Sequence, residues 1–355
     1  MKSKTIPGVI SLLLALLLLA LSLVQLSVAS PVNGALVVIN LVLIISALLA
    51  CSPTLPVWRM AAFAITLAAG TVWLAWLPLS GLTLAAVALL AVVSVQRLAR
   101  TPLPASLVAS LSGLWILVFW QILVTAFAVP QVILPAPLAI ISALVSSSGM
   151  LMGDVLQTVI KSVLAGYVLG SGLGIVVALL TDRLPFLQRG LLPVANLTST
   201  VPLVGVAPIA VMWFGFDWPS KAAVVTLVTF FPALVSTLAG LKSCGKMEQE
   251  LMYCYAATPR QSLLSLRLPE AMPFIFSALK VNATLSLITA IVAEFFGSPT
   301  AGLGFRISTE SARMHMPVVW SAIVVASVAG SLMYALVVRL DRRVNFWHPT
   351  VRGMS

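Results

Sequence analysis

Few side chains in this chain are equipped for chemistry: of 355 residues, nine are acidic and two are histidines. Glu294 stands out because it lies near the end of a long apolar run. An ionised carboxylate in hydrocarbon costs on the order of 2.5–3.5 kcal/mol at mid-bilayer. It therefore marks a polar path, or a buried structural carboxylate that never meets a solute; Arg306 and Lys280 are its candidate ion-pair partners. Gly170-Ser171-Gly172 would suit a nucleophile, but an intramembrane serine protease also needs a histidine at membrane depth, and His315 and His348 fall outside the apolar runs. Cys51, Cys244 and Cys254 lack metal-ligand spacing. The segment Gly240–Met247 (GLKSCGKM) fits the first seven positions of a phosphate-binding loop, yet it lacks the Ser or Thr that would hold magnesium and follows no strand. The expectation is a chain with no catalytic residues, no metal and no cofactor of its own.

The elements that must position these residues are set by composition. The chain is 61% hydrophobic and 8% charged, with a mean hydropathy of +1.13. Soluble domains carry roughly three times that charge fraction, so the fold class is an all-α polytopic membrane protein. The net charge of +11 is spread singly over the ends of apolar runs, which is an orientation signal and not a nucleic-acid stripe. Apolar stretches of about 20 residues predict about ten spans, near 7–29, 34–52, 57–77, 80–96, 105–129, 157–181, 190–214, 219–241, 271–296 and 317–338. With both termini in the cytoplasm, one side receives all of the twenty basic residues except Lys161, Lys221, Lys280, Arg306 and Arg313. Lys2, Lys4 and Ser27-Val28-Ala29 would also fit a cleaved secretory signal, but the apolar run exceeds a signal core and another span follows at once, which favours an uncleaved helix. Organisation changes near residue 100: residues 1–100 read as closely spaced accessory helices, 101–345 as the core, and 346–355 as a cytoplasmic tail. No internal or inverted repeat is evident.

The longest polar interruption in the second half, Leu241–Pro273, carries Lys242, Lys246, Arg260 and Arg267. Lys246–Ala257 lacks Gly and Pro and sets Met247, Leu251, Cys254 and Tyr255 on one helical face. Thr258-Pro259-Arg260-Gln261 then reads as a new helix start, with Thr258 as N-cap, Pro259 in the first turn and Gln261 completing a capping box. That helix is expected to stop before Pro269. Two short helices with apolar residues left to bury form a docking surface for a soluble partner.

From about Leu134 to Arg343 the chain resembles the permease subunits of bacterial ABC importers, the family that includes taurine, aliphatic sulfonate, nitrate and pyrimidine-precursor permeases. Its signature loop reads Glu-Ala-Ala, a Gly four residues later, then Leu-Pro. Here Glu250 and Leu268-Pro269 keep their places, while Leu251, Met252 and Ala256 replace the alanines and the glycine. Further ordered matches are Leu134-Pro135-Ala136-Pro137, Val201-Pro202-Leu203 through Ala207-Pro208, Trp213-Phe214-Gly215, Phe230-Phe231-Pro232, Val292–Gly297 and Gly302-Leu303-Gly304. The resemblance implies a type I importer core of about six helices, to which about four N-terminal helices are added. It implies ATPase coupling through the loop at 242–270, by Glu250, Tyr255, Ala256, Ala257, Thr258, Arg260 and Pro269. It also implies a separate ABC ATPase carrying ATP and magnesium, a periplasmic or lipid-anchored substrate-binding protein, and a homodimer in the bacterial inner membrane.

Candidate pathway residues are Glu294, Pro202 and Pro208, Lys280 and Asn282. The two prolines free backbone carbonyls that need a neighbour or water. Asn282, Thr284 and Ser286 would face the path or bond to helix backbone. Trp213 and Trp320 read as interface anchors. An ion-driven carrier or channel is the competing class, and it would want several ionisable residues inside the spans. Gly302–Ser311 and Tyr255–Pro269 look closer to members linked to thiamine-pyrimidine or riboflavin-like uptake than to sulfonate members.

Overall fold

The computed structural model describes residues 105–184, 190, 203–297 and 300–348. The first four expected spans, the linker after residue 96, Cys51 and Pro202 lie outside the described residues.

With no water to satisfy peptide groups in hydrocarbon, apolar runs must close their hydrogen bonds internally as helices. The described chain is helical throughout, without strands, and falls into two units that part at Ile141. The first holds α1 (Ala105–Ala126) and the start of α2 (Pro137–Ser146). Gln121 Oε1 accepts the Leu138 N–H at 3.1 Å, satisfying a donor at the start of α2. This gives the Leu-Pro-Ala-Pro segment its role as a helix entry.

The second unit is a bundle. α3 runs Ser148–Arg183, α4 Leu203–Phe214, α5 Trp218–Lys242, α6 Lys246–Cys254, α7 Pro259–Glu294, α8 Leu303–Ala312 and α9 Met316–Val344. Among the described residues α3, α5, α7 and α9 are long and apolar enough to cross a membrane. The protein is an all-α polytopic membrane protein.

Two spans are longer than the sequence suggested. α3 begins at Ser148 and not near 157, and α7 begins at Pro259 and not near 271. The helix expected to end before Pro269 instead continues through it as α7. The reason is a π turn over Leu263–Arg267, where the Leu268 N–H reaches the Leu263 carbonyl. An i→i−5 register moves the local acceptors, so the N–H that Pro269 lacks falls where the pairing is already changed. α3 has a second π turn at Leu156–Val163.

α3 and α5 meet along Gly166, Gly170 and Gly174, spaced four apart on one face. A Cβ at Gly170 would stand 2.1 Å from Thr229 Oγ1 and 2.4 Å from the Thr226 carbonyl, so the backbones touch. Small residues allow such close approach where lipid supplies no hydrophobic drive between helices. The apolar core continues through Ala178, Leu234 and Leu238, and then through Leu241, Ala271 and Ile275 where α7 joins. Gly215, at φ 83°, ends α4 in the left-handed region, with its N–H on the Val211 carbonyl, which explains glycine in Trp213-Phe214-Gly215.

Gly170→Leu is expected to separate α3 from α5 and lower the thermal midpoint in detergent by many degrees. Gly172→Ala, whose Cβ meets nothing within 4 Å, should leave it within about 1 °C, since it swaps glycine for a better helix former.

Candidate functional site

The polar residues gather at two ends of the bundle. At the first, α8 begins with a cap supplied by other helices. The first N–H groups of a helix have no intrahelical acceptor. Here Gly302 N–H donates to Asp154 Oδ1 at 2.8 Å, Leu303 N–H to Thr158 Oγ1 at 2.8 Å and Gly304 N–H to Glu294 Oε2 at 2.7 Å. Thr158 in turn donates to Glu294 Oε1 at 2.7 Å. Asp154, Thr158 and Glu294 are all buried. The glycines are obligatory: Gly302 sits at φ 139°, and a Cβ on Gly304 would lie 2.3 Å from the Ile291 carbonyl. The Glu294–Gly304 segment that carries part of the family resemblance is therefore a helix joint closed by carboxylates.

The expected ion-pair partners of Glu294 are corrected by this geometry. Arg306 pairs with Asp154, Nε to Oδ2 at 2.8 Å, and Lys280 pairs with Asp341 at 2.5 Å on α9. Each of those cations already had a carboxylate at hand, and the direct hydrogen bonds to Glu294 come from the Thr158 hydroxyl and the Gly304 N–H. Glu310, buried, gathers Arg313 at 3.1 Å and His315 at 3.0 Å. Asn282 Nδ2 ties α7 to both neighbours, donating to Ser171 Oγ at 2.9 Å and the Thr229 carbonyl at 2.7 Å. Ser171 thus serves as a packing partner. Thr284 and Ser286 bond to carbonyls of their own helix. Pro208 lies inside α4.

At the same end, an apolar cleft of 620 Å3 opens between α4 and α5, walled by Trp213, Phe214, Phe230 and Phe231. Thr226 is the one polar side chain in its lining, and its hydroxyl is bonded to the Ala222 carbonyl at 2.8 Å.

The opposite end carries α6 and the start of α7. The capping box is present, with Gln261 Oε1 accepting from Thr258 N–H at 2.8 Å and Thr258 Oγ1 accepting from Gln261 N–H at 3.3 Å. α6 ends in a pair of reversed bonds, Ala257 N–H to the Met252 carbonyl and Ala256 N–H to the Tyr253 carbonyl. Ala256, at φ 51°, occupies the position where the related loop carries glycine. The residue pattern thus records a backbone requirement that alanine meets at some strain. No residue of α6 is buried: Met247, Leu251, Tyr253, Cys254 and Tyr255 all stand exposed. Glu250 and Arg260 are exposed too, and Pro269 is half-buried in the first turn after the π turn. Four of the nine carboxylates are exposed and in no ion pair with described residues: Asp217, which caps α5 and accepts from Gln157, and Glu248, Glu250 and Glu270, which belong to this loop region. Burial, reinforced by the Glu248 carboxylate, pushes the Cys244 thiol above its ordinary value.

Sequence reasoning missed Asp154, Thr158 and Asp182. The signal was available for the two aspartates: acidic residues are so few that each one near an apolar run asks for a named partner.

Fold and site together define a polytopic membrane protein with a helical hairpin whose α6 is unburied among the described residues. The family model for the binding-protein-dependent transport system inner membrane component matches residues 170–346. The chain is 32% identical over 234 residues to the formylaminopyrimidine transport permease protein of Halalkalibacterium halodurans, covering 66% of this chain and 93% of that protein. It is 29% identical to the riboflavin transport system permease protein of Chloroflexus aurantiacus, with 65% and 87% covered. To a putative aliphatic sulfonates transport permease protein of Bacillus subtilis it is 27% identical, with 67% and 86% covered. The chain belongs to the family of binding-protein-dependent inner-membrane permeases, the non-catalytic membrane subunits of bacterial ABC importers. It is a multi-pass inner-membrane protein.

Thr158→Val removes a hydroxyl that both donates and accepts, stranding Glu294 Oε1 and the Leu303 N–H. It should cost about 2–6 kcal/mol of unfolding free energy, at roughly 1–3 kcal/mol for each of the two buried orphans, with Thr158→Ser restoring most of it. Denaturant unfolding in detergent measures both. In a Cys51→Ser background, Cys254 should react with maleimide at least about tenfold faster than Cys244, because the thiolate is the nucleophile and Cys244 is both buried and held protonated.

Proposed function

We propose that this chain forms the membrane path of an ATP-driven importer and takes a small planar heterocycle from a substrate-binding protein. The observation that carries the coupling half is the α6–α7 hairpin, a rigid knob with exposed apolar side chains and the unpaired carboxylates Glu248, Glu250 and Glu270. Such a surface fits a groove with basic groups on a soluble ATPase, where the apolar tip is buried and the carboxylates are neutralised. Tyr255, Ala256, Ala257 and Thr258 form the tip, with Arg260 at its rim and Pro269 where it joins the span. ATP and magnesium belong to that partner. The hairpin end is the cytoplasmic one, with both termini on that side, and two copies of the chain form the path.

The heterocycle reading is supported by the aromatic cleft on α4 and α5, which offers stacking surfaces and no cation for a fixed anion. It is also supported by relatives described as formylaminopyrimidine and riboflavin permeases. A sulfonate, taurine or nitrate anion is the second reading, favoured by the likeness to the sulfonate permease. Pro208, Asn282, Lys280 and Glu294 border the path in this proposal, Glu294 by holding α8 in place.

Purification from native membrane should recover an ABC-type ATPase at about one copy per permease chain. Glu250→Ala should keep that complex while lowering its transport-coupled ATPase about tenfold or more, as expected for loss of a charged contact to a partner. In proteoliposome competition, riboflavin or an aminopyrimidine should block uptake where taurine does not; the reverse order would overturn the heterocycle reading.

A further inference from the structure

Arg267 stands at the base of the hairpin, and its side chain joins three helices. Its Nη1 and Nη2 donate to Asp182 Oδ2 and Oδ1 at 2.9 and 2.7 Å, a two-pronged pair with the last turn of α3. Its Nε and Nη2 also donate to the Leu241 carbonyl at 3.2 and 3.0 Å, in the last turn of α5. Arg267 itself closes the π turn of α7, directly before Leu268-Pro269. The polar node caps an apolar cluster of the same three helices, formed by Leu241, Ala271 and Ile275 with Leu179 and Leu263 against it.

The electrostatics favour one cation at this point. A helix C-terminus carries a partial negative charge and leaves its last carbonyls without intrahelical donors. Two such ends meet here, and Asp182 adds a full negative charge where the α3 dipole disfavours it. A single guanidinium answers all three, and only a planar fork supplies four donations to two acceptor groups at once. Lysine would keep the charge and lose the geometry. The pair is largely shielded, with side-chain exposures of 25% for Arg267 and 9% for Asp182, so it is not a loose surface contact.

We infer that the Arg267–Asp182–Leu241 node is the joint through which movement of the ATPase-docking hairpin reaches the membrane helices. This rests on the importer reading above. The hairpin is joined to the bundle by this node, by the helical continuity of α7 and by the short Ser243–Gly245 connection from α5. A π turn is a wide, locally distinct winding frequently found at functional sites, so α7 alone would flex there. Clamping the turn to the ends of α3 and α5 makes the three helices respond as one. Arg267 and Asp182 are positioning residues, and neither touches solute or nucleotide.

The test uses the native complex with the three cysteines changed to serine and a reporter Met314→Cys. Met314 is exposed at the far end of the bundle, and cysteine accepts its φ of 60° as methionine does. Maleimide labelling at this reporter is timed with and without MgATP and vanadate, alongside ATPase recovery. In the wild type, trapping should change the labelling rate. In R267K and D182N the ATPase should be recovered as in wild type while the trapping-induced change shrinks about fivefold or more, the size of a lost coupling between sites. Ile275→Val, which loosens the same cluster without touching the node, should keep the response. An unaltered response in R267K and D182N would overturn the joint, as would a response lost equally in Ile275→Val. A wild type with bound ATPase whose label does not respond would also overturn it. If R267K does not assemble, D182N, which keeps the side-chain shape, decides. Absence of an ATPase from the wild-type complex would sink the importer reading itself, a result distinct from all of these.

Discussion

Three ion pairs between helices set the register of this bundle. Asp154 is met by Arg306, Asp182 by Arg267 and Asp341 by Lys280, each across a gap of many residues in sequence. A membrane offers no water to satisfy a leftover group, so each pairing fixes the relative height and rotation of two helices. Apolar packing alone would leave such helices free to slide, because lipid tails compete equally for their surfaces. The polar contacts supply the register, and the glycine face between α3 and α5 supplies the closeness.

The ends of the bundle use the same chemistry for different purposes. At one end, Asp154, Thr158 and Glu294 act as the missing cap of α8, so a short helix is held by two residues of α3 that lie 148 and 145 positions from their partners, and by Glu294 at the end of α7. At the other, Glu248 and Glu250 of α6 stand exposed and in no ion pair with described residues. The contrast separates a surface completed within the subunit from the one proposed to meet a second protein.

Much of this was legible in the sequence. The class followed from hydropathy, the capping box at Thr258 from residue types, and the hairpin from its polarity. Ala256 was legible as a substitution, but its left-handed backbone became visible only in three dimensions. Arg306 and Lys280 were candidates for Glu294, but a sequence gives no distance, and their partners Asp154 and Asp341 lie far along the chain. The run through Pro269 failed for a related reason. Proline is read as a helix end under α-helical pairing, and no composition rule announces a π turn.

Those π turns have a consequence for how the chain tolerates change in length. Each accommodates a residue more than an α turn would need, and everything beyond it is phased accordingly. Removing one residue from Leu263–Arg267 would restore ordinary winding and rotate the hairpin by about 100° about the axis of α7, one residue's worth of helical angle. Insertions and deletions should therefore be absent from these short stretches even where neighbouring side chains drift freely. In this protein a count of residues, more than their identity, sets where the α6–α7 hairpin points.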